Sequence, residues 1–248
     1  MTKESAQRTM LLTGASRGIG HATVKLFNQA GWRVLTVSRV PFTSDCPWNG
    51  GLENHIQSDL SSPKGYDRLA DEVRDRLGEL GLHAIVNNAG VSPKRPDRTR
   101  MGVEDTSYDD WLSVFNVNLF SAALLSRLLL PELKATSGTI VNVTSIAGVR
   151  VHPFAGAAYA CSKAALAALT REQASEFGSY GIRVNAVAPG EIDTSILSPG
   201  TEAIVENQIP MHRMGRPEEV AATVLFLCSG EASYINGAEI HINGGQHV

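Results

Sequence analysis

The chain predicts an α/β fold, a doubly wound, mostly parallel sheet of seven strands with helices on both faces. Three observations predict it. Strand-like and helix-like segments alternate along all 248 residues. Runs such as H-A-I-V and I-V-N-V lack the polar alternation of a half-exposed strand and read as buried on both sides. A glycine-rich turn at residues 13–20 separates the first strand from the first helix.

The first strand, T-M-L-L-T at 9–13, stops at Gly14, and the glycine turn opens a helix at 18–30. A second strand follows at 33–38, R-V-L-T-V-S, and a short third at 55–58. A helix at 64–77 leads to the fourth strand at 84–87. A long helix at 108–133 precedes the fifth strand at 139–144, and an alanine-rich helix at 157–177 precedes the sixth at 183–188. A helix at 217–229 and a last strand at 239–242 complete the series. There is no internal repeat and no low-complexity linker, so residues 1–248 read as one domain. Two long irregular stretches remain, 91–106 with Lys94, Arg95, Arg98 and Arg100, and 191–216. Loops of that length in a compact domain are expected to serve a substrate, although the basic run also fits a solvated surface.

Bulk properties exclude several classes. A hydrophobic fraction of 43% and a charged fraction of 19% are ordinary for a globular protein. A net charge of −3 gives no reason to expect nucleic acid or an anionic membrane as partner. The three cysteines, Cys46, Cys161 and Cys228, are scattered and show no C-x-x-C spacing, which argues against structural zinc and for a reducing compartment. The N-terminus is polar, and the greasiest run, 121–130, is interrupted by Ser126 and Arg127. The expected location is the cytoplasm.

In the turn T-G-A-S-R-G-I-G, Gly14 permits a sharp bend, while Gly18 and Gly20 remove side chains that would keep backbone N–H groups from a pyrophosphate. The same residues spell G-x-S-x-G with Ser16 at its centre, the elbow of a serine hydrolase. The third glycine is superfluous for an elbow, and the tail histidines, His241 and His247, lack a convincing acid nearby. The second strand ends at Ser38 and Arg39 rather than at a carboxylate, and Arg17 adds a cation, so NADP(H) is favoured over NAD(H).

Tyr159 and Lys163 stand four apart in Y-A-C-S-K and share one helical face. An ammonium beside a phenol favours the phenolate. Bringing a phenol from about 10 to neutral pH takes roughly 4 kcal/mol, which a desolvated cation and cofactor charge could supply together.

With these residues assembled, the chain resembles the short-chain dehydrogenase/reductase family, a Rossmann-type fold, over nearly its whole length, closest to its 3-oxoacyl-carrier-protein reductase branch. The resemblance rests on T-G-x-x-x-G-x-G at 13–20, Asp59 in S-D-L, N-N-A-G at 87–90, V-T-S ending at Ser145, Y-x-x-x-K, and Pro189–Gly190. It implies hydride transfer between a nicotinamide and a ketone or secondary alcohol. Tyr159 is then the general acid/base, Ser145 holds the substrate oxygen, and Lys163 bonds the nicotinamide ribose. Asn118, rather than Asn116, anchors a proton relay. The implied cofactor residues are Gly14, Ser16, Arg17, Gly18, Ile19 and Gly20 in the turn, then Ser38, Arg39, Asp59 and Leu60. Asn88, Ala89, Gly90, Pro189, Gly190, Ile192 and Thr194 complete the set with Tyr159 and Lys163.

Each assignment has a plainer alternative. Asn118 can bond its own helix, Thr144 or Ser162 can replace Ser145, and Asp59 can cap the following segment. A cofactor-binding redox sensor without turnover is the competing function, and it has no need of the proton relay. Two departures from the family pattern bear on substrate. Tyr159 follows Ser145 by fourteen residues where thirteen is common, which lengthens the loop around His152 and Phe154. Glu191 replaces an apolar residue and points either at substrate, favouring a polar or cationic one, or at solvent. Ser175 and Tyr180 stand where a carrier-protein reductase would place cations, although the basic loop 94–100 could substitute. The all-round apolar helices, one with seven alanines among residues 157–169, exceed what one sheet covers; with the family's habit, this leads to an expected homotetramer, or a dimer.

Overall fold

The protein is described by a computed structural model covering residues 7–42, 51–194 and 200–248. Cys46 and part of the 191–216 loop lie outside the described residues. The strands are β1 (Thr9–Thr13), β2 (Arg33–Ser38), β3 (His55–Gln57), β4 (Ala84–Asn87), β5 (Thr139–Val143), β6 (Arg183–Pro189) and β7 (Glu239–Ile242). They form one sheet in the order β3-β2-β1-β4-β5-β6-β7, parallel at every pairing. Strand order reverses between β1 and β4, and a crevice opens there at the carboxyl ends of the strands.

Side chains alternate across the sheet and build two cores. Leu11, Leu35, Ile85, Ile140 and Val184 pack on one face with α2 (Tyr66–Leu77), α4 (Ser121–Leu128) and the end of α6 (Ala157–Phe177). Met10, Leu12, Val34, Val86, Val141 and Val187 pack on the other with α1 (Gly18–Gln29) and α8 (Pro217–Leu227).

The predicted helix 108–133 is not one α-helix. It begins as α3 (Tyr108–Phe115) behind a capping box, in which the Ser107 hydroxyl accepts from Asp110 N at 3.1 Å and Asp110 Oδ2 accepts from Ser107 N at 3.2 Å. It then widens into a π-helical turn, Asn116–Phe120, before α4. At Leu129 the chain breaks and restarts as α5 (Leu130–Thr136), with Pro131 at a helix start, where its missing N–H costs nothing. Tyr108–Leu128 is by length and composition apolar enough to cross a membrane, with 39% of its most apolar window buried. The 191–216 loop is also less irregular than expected, because α7 (Thr201–Gln208) lies within it.

Candidate active site

Two clefts, of about 630 and 660 Å³, share Arg17, Ile19, Arg39, Asn88, Gly90, Val91 and Thr194 and form one crevice across the switch point. The first is lined by the glycine turn, Ser38, Arg39, Asp59, Leu60, Asn88, Ala89 and Gly90. The second is lined by Ser145, His152, Phe154, Tyr159, Lys163, Pro189, Gly190, Glu191, Ile192 and Thr194. Of the residues assigned from sequence only Asn118 lines neither. Val40, Ser58 and Val117 in the first cleft were not foreseen, while Ser92 and Lys94 in the second come from the 91–106 stretch expected to serve a substrate.

The glycine turn is a cradle that side chains would fill. Gly14 has φ +74°, and a Cβ there would lie 2.8 Å from Ala89 Cα. A Cβ on Gly20 would lie 2.1 Å from Gly14 O and 2.7 Å from Asn88 Nδ2. That amide ties β4 to the turn, donating to Gly14 O at 2.8 Å and Thr13 O at 3.1 Å. The N-cap of α1, Arg17, makes no side-chain cap, so the first helical N–H groups open on the crevice. These features fit a dinucleotide pyrophosphate. Gly20→Ala is expected to lower stability by about 2 kcal/mol, as overpacked sites do, and to weaken dinucleotide binding. Chemical unfolding and a dinucleotide titration measure the two; a variant unchanged in both would contradict this tight geometry.

Ser16 lies exposed in this crevice, and no histidine lines the cleft around it. His241 and His247 stack on each other with centroids 4.1 Å apart, and His247 Nδ1 lies 2.9 Å from Asn243 Oδ1. The hydrolase constellation does not assemble.

Ser145 ends the β5 segment and N-caps a 3-10 turn, Ile146–Gly148, its Oγ accepting from Ala147 N at 3.2 Å. A Cβ on Gly148 would lie 2.9 Å from Ala164 N, so only glycine lets this turn press against α6 beside Lys163. Ser145 and Tyr159 thereby line the same cleft, and the serine hydroxyl acts to lower the pKa of the phenol. The alternatives are otherwise engaged: Thr144 Oγ1 donates to Val187 O at 2.9 Å, and Ser162 Oγ donates to Tyr159 O at 2.7 Å.

Lys163 is 3% exposed, and its Nζ donates to Val143 O at 2.6 Å and lies 5.7 Å from the Tyr159 ring centroid. Burial pulls its pKa down to about 8. Burial also raises the Tyr159 phenol above its ordinary value, the Ser145 hydroxyl lowers it, and the Glu191 charge raises it further. Lys163 is not among the groups that shift the phenol here; burial is the largest influence on both side chains.

Asn118 is 1% exposed and does not bond its own helix. The π-turn aims it across at the strand-end loop, where its Oδ1 accepts from Val91 N at 2.8 Å. Its Nδ2 donates to Val91 O at 3.0 Å and to Ser162 Oγ at 3.0 Å. A Cβ on Gly90 would stand 3.5 Å from Lys163 Nζ and 3.6 Å from Asn118 Oδ1, so Gly90 fills the gap between them. Asn116 faces elsewhere, donating to Ser61 O at 2.8 Å. Asp59 both lines the crevice and caps, accepting from Ser61 N at 2.9 Å.

Glu191 faces the cleft, and its Oε1 lies 2.5 Å from His152 Nε2, with side chains 13% and 9% exposed. The basic loop is not a free rim. Lys94 donates to Phe154 O, Arg95 pairs with Asp105, and Arg100 Nη1 reaches His152 O at 3.5 Å.

Comparison with known proteins agrees with this crevice. A family model described as Enoyl-(Acyl carrier protein) reductase matches residues 14–247. The chain is 58% identical over 242 residues to Protein FixR of Bradyrhizobium diazoefficiens, covering 97% of this chain and 87% of that one. It is 35% identical over 249 residues to the 3-oxoacyl-[acyl-carrier-protein] reductase of Thermotoga maritima, covering 96% of this chain and 97% of that one. A short chain dehydrogenase/reductase from Brucella ovis, solved with a partially ordered NAD, is 54% identical, with a TM-score of 0.83 over 96% of this chain and 100% of that one. The chain belongs to the short-chain dehydrogenase/reductase family and is a nicotinamide-dependent oxidoreductase of CH–OH and ketone groups.

Proposed function

We propose that this protein is an NADP(H)-dependent reductase of a small ketone, or dehydrogenase of the matching alcohol, with Tyr159 as general acid/base. The observation that carries it is the convergence of Ser145, Tyr159 and Lys163 on the cleft that continues the glycine cradle. The nicotinamide, when bound, supplies hydride to the carbonyl carbon. Ser145 and Tyr159 hold the substrate oxygen, and the phenol passes its proton to that oxygen as charge develops there. Lys163 holds the nicotinamide ribose, and with a pKa of about 8 it restores the phenolic proton near neutral pH. Asn118 fixes the Val91 loop that backs Lys163, which supports its place in the relay.

Arg17 and Arg39, exposed on the crevice wall, and Ser38 at the end of β2 support the phosphate-bearing cofactor. The Brucella ovis relative holds NAD, so the ratio of the two affinities is the decisive measurement. Arg39→Asp is expected to weaken NADPH binding by about 10–100-fold, the loss of one charge-assisted hydrogen bond, while NADH binding holds or tightens. Equal losses for both cofactors would remove the phosphate assignment. Turnover of a ketone panel by the wild type tests the reductase reading against the redox sensor, which binds dinucleotide and turns nothing over. Exposed Leu112 and Phe120 on the α3–π–α4 run support assembly through these helices, with a homotetramer as the proposed state.

A further inference from the structure

We propose that Glu191, held in place by His152, selects carbonyl substrates bearing a hydroxyl on the carbon next to the reacting one. This rests on the reductase reading above and names its substrate class. The Glu191 backbone is fixed: Gly190 N donates to Ile242 O at 3.0 Å, Gly215 N donates to Glu191 O at 2.9 Å, and Ile192 bridges to Gly215. The carboxylate is therefore delivered to the cleft wall by the end of β6 rather than by a free loop. Glu191 lines the same cleft as Ser145, Tyr159, Lys163 and Lys94, so it stands at the reacting end of the crevice.

His152 sets which carboxylate oxygen is spare. Its Nδ1 accepts from Phe154 N at 3.2 Å, so Nε2 carries the ring hydrogen and donates to Glu191 Oε1 at 2.5 Å. Oε2 is left as the acceptor for a ligand. The loop around His152 is itself clamped, since Lys94 bonds Phe154 O and the Phe154 ring packs edge-on against the imidazole at 5.8 Å. The additional residue between Ser145 and Tyr159 falls in this loop, which carries His152 to the carboxylate.

Chemistry narrows what can sit there. An apolar chain pressed on Glu191 leaves a half-buried carboxylate oxygen without a donor, which disfavours it. An anionic substituent is repelled. An ammonium meets the positive charge of Lys94, which lines the same cleft and is fixed there by its bond to Phe154 O. A neutral hydroxyl satisfies Oε2 without that conflict. His152 is the positioning residue, and Glu191 makes the contact.

The test compares kcat/KM with NADPH for acetoin, butanone, which lacks only the hydroxyl, and aminobutanone, for the wild type, Glu191→Gln and Glu191→Leu. The wild type is expected to prefer acetoin over butanone by about 100-fold, the worth of one hydrogen bond to a charged group. Glu191→Gln, which keeps an acceptor, retains most of that ratio, and Glu191→Leu brings it to within about threefold by losing acetoin turnover. Butanone turned over as well as acetoin, a preference for aminobutanone, or a ratio untouched in Glu191→Leu overturns the proposal while leaving the reductase standing. Absence of turnover for every ketone by dinucleotide-bound wild type overturns both. The wild-type ratio alone decides the matter if a variant does not fold.

Discussion

Tyr159→Phe is expected to lower kcat by about a thousandfold, the usual worth of a positioned general acid, with dinucleotide affinity close to that of the wild type. The change deletes one oxygen from a half-buried ring on α6 and leaves the glycine cradle, which lies on β1 and α1, untouched. Single-turnover hydride transfer separates this loss from any change in cofactor affinity. Burial and the Glu191 charge both raise the phenol, so it stays protonated across neutral pH and is ready to donate in ketone reduction. Alcohol oxidation needs the phenolate instead. Its rate is therefore expected to climb with pH into the alkaline range, while reduction is flat near neutrality and falls as Lys163, which returns the phenolic proton, titrates near pH 8. Oxidation with no alkaline rise, or a Tyr159→Phe variant of near-normal kcat, would remove Tyr159 from the proton path.

The sheet was largely legible in the sequence, because strands buried on both faces write themselves as apolar runs. T-M-L-L-T is buried at every position, and all seven predicted strands lie within two residues of those found. The cradle was legible for a related reason: Gly20 admits no side chain, a constraint that only one residue type satisfies. Features made by long-range contact were not legible. Helix α7, T-E-A-I-V-E-N-Q, has only Thr201 and Ile204 buried among eight residues, too weak an amphipathic signal to stand out from a loop. The π-turn adds a residue to a helix that reads as continuous, and nothing in N-V-N-L-F announces it except two asparagines where a helix would prefer other residues. Glu191 and His152 lie 39 residues apart, so their pairing had no local signature. For Tyr159 and Lys163 the spacing was readable but the electrostatics were not, because burial, which the spacing does not report, dominates both groups.

That burial leads to the second large effect. Lys163→Met is expected to abolish turnover, yet to leave the protein more stable than the wild type at pH 7 by about 2 kcal/mol. Lys163 titrates near 8 in the folded protein against an ordinary 10.5, and at about 1.36 kcal/mol per pH unit this difference costs the folded state roughly 3 kcal/mol below pH 8. Loss of the 2.6 Å bond from Nζ to Val143 O returns about 1 kcal/mol of that gain. Between pH 8 and 10.5 the unfolded chain binds more protons at this site than the folded one, so wild-type stability rises with pH and the cost fades. Methionine has no proton to bind, and the advantage of the variant should accordingly shrink to nothing or reverse by pH 10.5. Urea unfolding of both proteins at pH 7 and near pH 10 measures this directly. A variant less stable than wild type at pH 7, by the same margin at both pH values, would mean that Lys163 is held at no electrostatic cost. The pH-dependent crossover is instead the mark of an ammonium kept buried for chemistry at the expense of the fold, as active sites commonly do.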